Sequence, residues 1–448
     1  MSVRKSDKMA NWPIGKLLYS MSLPAVFSML IQAMYNIVDT MYVAQLGEKT
    51  LFAIGIAFPL QMVVLSIALG GGAGVGTIVA RRLGEKRYEE ANATVTTGFG
   101  LVLGHYILIV LAAIFLAKPF LALFTNDLEA IKLGYQYLIV VMGVSFGQLF
   151  AILCERILQS TGNMLIPTVG QLIGAITNIV LDPIFIFGWG FIPAMGITGA
   201  AIATVIGQVL ALVFEMVAFL WGSHEVAIDV KNCHFDRERI KSIYGIGLPV
   251  AIMNAIGSLT TTALNGILVR FGESAVTTLT LYFKIQSFVF MPVFGFNQGS
   301  LPILSYNYGA KDKGRYFKTV KLYLFTAIGF MSLGMAIFWL ATPFLINLFN
   351  PTPALFEVAY VAFRILALSF ILAACTIVIS AIFQSLGYGV SSMMISIMRQ
   401  LGFLLPLALI FSHFWGVVGI WWAYPVAEAL VVTLYAPLVL KKLRKVFA

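Results

Sequence analysis

Residues 165–187 read LIPTVGQLIGAITNIVLDPIFIF. A helix needs about 20 predominantly apolar residues to cross a hydrocarbon core, and this run supplies them while carrying Asn178, Asp182 and Pro183 inside it. An ionisable group within such a span is costly in lipid and marks a functional site by default. Asn178 and Asp182 are four residues apart, so both side chains leave one helical face. Pro183 has no amide hydrogen, which leaves the Ile179 carbonyl without its usual helical partner. Three oxygens are thereby available to converge on a cation or a proton. The competing reading is a proline kink with an interhelical hydrogen bond, since neighbouring helices readily re-satisfy freed backbone groups in membranes.

The rest of the chain has the same character. Of its 448 residues 60% are hydrophobic and only 11% charged, against about 25% charged in soluble domains, and the mean hydropathy is +0.93. The composition is that of an all-α polytopic membrane protein. Cutting at charges and Gly/Pro clusters predicts twelve spans, the first over 16–41 and the last over 416–439. The first follows Arg4, Lys5 and Lys8 but is too long for a cleaved leader, so it is expected to remain as a span.

Lys and Arg gather in Arg4/Lys5/Lys8, Arg81/Arg82/Lys86/Arg87, Lys231/Arg237/Arg239/Lys241, Lys311/Lys313/Arg315/Lys318 and Lys441/Lys442/Arg444/Lys445, all on one side of the predicted topology. By the positive-inside rule both termini are expected in the cytoplasm of a cell membrane. The net charge of +10 then reports topology, and no nucleic-acid partner is expected. Asp39 and Asp182 fall in the outer half of the membrane.

Sliding the chain by 225 positions superimposes Pro24 on Pro249, Gly47 on Gly272, Gln61 on Gln286, Gly70 and Gly74 on Gly295 and Gly299, and Gln159-Ser160-x-Gly162 on Gln384-Ser385-x-Gly387. Six spans separate the copies, an even number, so the repeat is parallel. The expected organisation is two six-helix bundles around a central cleft, with a half over 1–222, a cytoplasmic linker over 223–240 and a second half over 241–448. Such halves are a common scaffold for alternating access.

The first span supplies Tyr35, Asn36 and Asp39, with Tyr35 and Asp39 on one face and Pro24 as a hinge below them. Asp39 is expected either to meet Asp182 or to sit at the outer water interface. Thr198, near the outer end of the sixth span, is expected in the same layer. Glu155 beside Arg156 reads either as a cytoplasmic boundary or as a cavity carboxylate that attracts cationic substrate. Glu215, Lys284, Arg399 and Glu428 also lie in or near spans, the last three as candidates for pairing or snorkelling in the second half. Met34, Tyr35, Asn36, Phe150, Glu155, Phe283 and Met291 are the expected substrate wall, because aromatic faces and thioethers accept varied cations.

Other strings lead nowhere. Gly70 to Thr77 resembles a phosphate loop but lacks its Lys and lies in a span. Gly143-Val144-Ser145-Phe146-Gly147 fits a hydrolase elbow without a preceding strand or an activating His. His105, His224, His234 and His413 have no metal spacing, and Cys154, Cys233 and Cys375 no disulfide or redox spacing. Neither an enzyme nor an ATP-driven pump is indicated.

Leu23-Pro24, Tyr35-Asn36-x-x-Asp39, Gly47, Arg82-Leu83-Gly84 and Asn178-x-x-x-Asp182-Pro183, in this order over two halves, resemble the multidrug and toxic compound extrusion (MATE) family, and its archaeal and damage-inducible-type (DinF-like) branches in particular. The resemblance implies a monomeric secondary antiporter that exports organic cations or amphipathic drugs against H+ or Na+, with no other cofactor. It also implies an ion-responsive site of Tyr35, Asp39, Asn178, Asp182 and Thr198, where Na+ would take oxygens of Asn178, Asp182 and Thr198. Another branch uses acids in the seventh and tenth spans, but the seventh here has Asn254 and the tenth none after Glu357, so coupling is expected in the first half. A lipid or polysaccharide-precursor flippase of the same superfamily is the alternative, though it would call for several inward-facing Arg residues.

Overall fold

A computed structural model describes residues 7–190, 192–222, 225–228, 236–349 and 351–447, and within them all side chains except those at positions 7, 33, 36, 37, 40, 44, 48, 51 and 258. The substrate-wall residue Asn36, and His224, Cys233 and His234, therefore lie outside the described groups. Described residues are helical apart from loops and one bridge between Trp189 and Ile192. Among the described residues nine helices are long and apolar enough to cross a membrane, and two bent pairs bring the number to eleven. These are the fourth span, Leu128–Gly143 with Phe146–Ser160, and the tenth, Pro353–Ala367 with Ser369–Ser385, each bent by 43°. The last helical stretch, Gly389–Val446, is 58 residues long and breaks at Gly416, where φ is 59° and ψ −144°. Only glycine enters that region at little cost. Two spans result, 389–415 and 417–446, and twelve in all among the described residues.

The 225-residue offset is written into the backbone. Gly47 and Gly272 have φ of 98° and 100°, Lys86 and Lys311 60° and 55°, and Gly162 and Gly387 82° and 84°. Each pair occupies equivalent turns. Lys86 and Lys311 hold a left-handed conformation despite their Cβ atoms, so the turn after the second span, Glu48–Gly84, and the eighth, Glu273–Gly309, is dictated by its surroundings.

Packing divides the chain into one unit of Met1–Trp12 with Phe27–Ala251 and another of Pro13–Val26 with Ile252–Ala448. The first span changes unit two residues after Pro24, and the seventh two residues after Pro249. Glycines hold the transferred segments. In the first unit a Cβ on Gly70 would stand 2.5 Å from the Gly247 carbonyl oxygen, and one on Gly74 would stand 2.4 Å from that of Ile243. In the second unit a Cβ on Gly295 would be 2.6 Å from the Val26 backbone, and one on Gly299 2.5 Å from the Ser22 hydroxyl. Backbone-to-backbone approach of this kind requires the smallest residues, which explains why the glycines recur at the repeat distance.

The core of the second unit is built round fully buried Tyr282, Tyr316, Tyr323, Phe296, Phe338, Phe363, Phe370 and Trp421. In the first unit a small apolar cluster of Val43, Ile186 and Ala200, flanked by Tyr42, Leu46 and Ile54, joins the first, second, fifth and sixth spans.

Candidate functional site

The fifth and sixth spans, Leu165–Phe187 and Ile197–Trp221, run antiparallel, and glycines fix their register. A Cβ on Gly207 would lie 2.6 Å from the Gly174 carbonyl oxygen, and one on Gly199 2.4 Å from that of Phe185. Between these two contacts Asn178 comes opposite Thr204. The Asn178 amide donates to the Thr204 hydroxyl at 3.2 Å and to Asp182 Oδ1, four residues on, also at 3.2 Å. Asn178 and Asp182 are 2% and 0% exposed.

The sixth-span threonine in this site is Thr204, in place of the expected Thr198. Thr198 is partly exposed one residue after the helix begins, and six residues separate the two, about 9 Å along a helix axis. The Gly199 contact aligns that end of the sixth span with Phe185, beyond Asp182, and so carries Thr198 past the carboxylates.

The first span completes the cluster. The carboxyl of Asp39, which is half-buried, faces that of Asp182 within hydrogen-bonding reach, so Asp39 belongs to the site. Two carboxylates have no hydrogen to share, and this contact becomes a hydrogen bond only when one of them carries a proton. Asp182 Oδ2 and Asn178 Oδ1 have no donor among the described residues. The Tyr35 hydroxyl lies against that of Thr204 and faces Asp39, Tyr137 and Asp182. Gln61 donates to the Tyr137 hydroxyl at 3.2 Å. Tyr137 and Gln61 were not anticipated; the recurrence of Gln61 at Gln286 was the signal available for one of them.

The remaining expected residues are dispersed. Met34 is 62% exposed, while Phe150 is half-buried and stacks on Phe99 with centroids 5.9 Å apart. Phe283 packs beside Tyr282, with centroids 5.6 Å apart, and Met291 is half-buried, both in the second unit. Glu155 is buried near the end of its helix, Phe146–Ser160. Its Oε1 accepts from Gln159 at 2.7 Å and its Oε2 from Gln171 at 2.9 Å. In the second unit Arg399 and Glu428 form an ion pair at 3.2 Å, with Thr376 donating to the same carboxylate at 2.8 Å. Lys284 is exposed. Arg399 lies in a π-helical stretch, Met398–Leu404. Among the described residues no three His, Cys, Asp or Glu side chains cluster as a metal site.

Comparison with known proteins places this geometry in a family context. The family model described as MatE matches residues 24–184 and 249–410, so its two copies begin at Pro24 and Pro249. The chain is 26% identical to the multidrug export protein MepA of Staphylococcus aureus strain MRSA252 over 423 residues, which is 93% of this chain and 92% of that protein. A structure described as the outward-facing conformation of a multidrug resistance MATE family transporter superimposes with a TM-score of 0.93 at 24% identity, covering 100% of this chain and 99% of the other. A crystal structure of MATE in the bent conformation gives a TM-score of 0.92 at 25% identity, covering 99% and 98%.

Proposed function

Because the chain belongs to the MatE family, a family of multidrug efflux transporters, we propose that it is a secondary antiporter that exports cationic or amphipathic drugs across the cell membrane in exchange for H+, with Na+ able to compete. The observation that carries this reading is the meeting of Asp39 and Asp182 inside the first unit. Two negative charges held together, that of Asp182 fully buried and that of Asp39 half-buried, are strongly disfavoured. A proton between the carboxyls relieves this directly. Na+ would instead use Asp182 Oδ2 and Asn178 Oδ1, the two oxygens without a donor, with Thr204 and Tyr35 hydroxyls alongside.

Loading the pair changes the charge at the outer part of the first span. That span passes from one packing unit to the other just after Pro24, and a proline there lacks the hydrogen bond to the Ser20 carbonyl and bends easily. The proposed cycle is alternating access with both termini in the cytoplasm: ion loading bends the first span at Pro24 and expels drug, and by linkage drug binding opposes ion binding. Met34, Tyr35 and Phe150 are the proposed drug contacts of the first unit, and Glu155 serves divalent cations. Proteoliposome efflux under separately imposed H+ and Na+ gradients tests the reading. Stoichiometric exchange supports it, whereas movement of labelled lipid without drug exchange supports a flippase.

A further inference from the structure

A second carboxylate pair lies in the same unit, away from the coupling site. Glu215, on the sixth span, is 1% exposed and its charge faces Glu155 on the fourth. Its Oε1 lies so near the fifth span that a Cβ on Gly170 would stand 2.4 Å from it, and its Oε2 has no donor among the described residues. Cys154 on the fourth span also faces it. Glu155 already accepts from Gln159 and Gln171, and Ser28 of the first span bonds to the Gln171 amide oxygen. Arg156 Nη1 donates to Gln159 Oε1 at 3.0 Å and so reaches Glu155 through that amide. Arg156 balances one carboxylate, and the second is left without a counter-charge. Burying an ionised carboxylate without a paired cation costs several kcal/mol, and one proton on the pair makes the cluster neutral.

Gly170 and Asn178 are eight residues apart on the fifth span, about 12 Å along its axis. The stripe Thr204, Gln208 and Glu215 runs down the sixth span between the two sites, and Gln208 Oε1 also has no donor among the described residues. We propose that Glu155 and Glu215 form a second proton-exchange site of the first unit, which holds one proton on the cytoplasmic side of Asp39 and Asp182 and takes part in its passage to the cytoplasm. No bond other than to the proton is made or broken. The orientation rests on the proposed topology, while the existence of the site does not depend on which ion drives export.

Infrared difference spectra of the reconstituted protein between alkaline and acidic buffer test this. The wild type is expected to show two carboxylic-acid carbonyl contributions. Asp182→Asn should remove one and leave the other, Glu215→Gln should remove the second, and Glu215→Asp should restore it. Glu215→Gln should also lose most proton-driven efflux while keeping equilibrium drug binding. If Glu215→Gln does not fold, Glu155→Gln must shift the second contribution, because it removes the charge that faces Glu215. A spectrum that Glu215→Gln leaves identical to wild type, an acid band present at every pH, or no shift in Glu155→Gln would overturn the proposal. None of these outcomes alters the test of Asp39 and Asp182.

Discussion

Gly207 lies so close to Gly174 that a Cβ on it would stand 2.6 Å from the Gly174 carbonyl oxygen and 3.5 Å from the Asn178 Cβ. A side chain here must push the fifth and sixth spans apart at the level of the coupling cluster. Gly207→Leu is therefore expected to destabilise the protein by about 1–3 kcal/mol, the usual range for overpacking, and to lower ion-coupled efflux. A thermal melt in detergent alongside a transport assay checks it. A wild-type melting temperature with intact coupling would show that the contact is not tight.

The same register yields a sharper pair of variants. Thr204→Val removes the hydroxyl that accepts from Asn178, a loss of about 1 kcal/mol for a typical hydrogen bond, and is expected to weaken ion-coupled efflux. Thr198→Val should transport normally. Parallel efflux assays decide, and the reverse ranking would contradict the observed pairing.

How much of this was legible beforehand follows from what each signal encodes. Hydropathy and the 225-residue offset carried the helical class and the repeat, because apolar length and recurring Pro and Gly are properties of the chain itself. Asp39 with Asp182 was legible because burying a charge is costly enough to stand out in a span. Thr204 was not, because the register between two helices depends on where glycines let backbones touch, and Gly174 and Gly199 look like ordinary small residues in a sequence. The breaks at Gly143–Phe146 and Ala367–Ser369 were hidden for a similar reason: no proline marks them. The crossing of the first span between packing units was visible only as its cause, Pro24.

In the second unit Arg399 and Glu428 neutralise one another, with Thr376 as a further donor to the carboxylate. Glu428→Leu leaves the guanidinium without its partner and is expected to cost about 2 kcal/mol, typical of a charged hydrogen bond. The double variant Arg399→Met with Glu428→Leu should regain most of that loss, since an apolar pair avoids burying charge, and the Thr376 hydroxyl can turn its hydrogen to the Leu372 carbonyl, 3.2 Å away. Melting temperatures of the two singles and the double measure the coupling. Strict additivity would show that the pair does not interact.

Glu85 lies just beyond the second span, 2.7 Å from Arg82, 3.1 Å from Arg81 and 3.5 Å from Arg87. Burial acts to raise its carboxyl, but Arg82 and Arg81 outweigh that and hold it below the usual carboxylate range. A carboxylate depressed in the folded state contributes stability in full above its unfolded pKa and loses it as pH falls through the folded value. Glu85→Gln should therefore melt slightly below wild type at neutral pH, and the gap should close in acid. A gap independent of pH would rule out an electrostatic role.

The central claim is that the shared charge state of Asp39 and Asp182 drives export, and reconstituted Asp39→Asn and Asp182→Asn test it most directly. Each mimics a permanently neutral carboxyl. With folding verified by a monodisperse elution profile and drug binding by equilibrium titration, both variants are expected to retain drug binding and to lose uphill efflux under an imposed H+ gradient and under an imposed Na+ gradient. If either variant concentrates drug at the wild-type rate under both gradients, the pair is not the coupling unit.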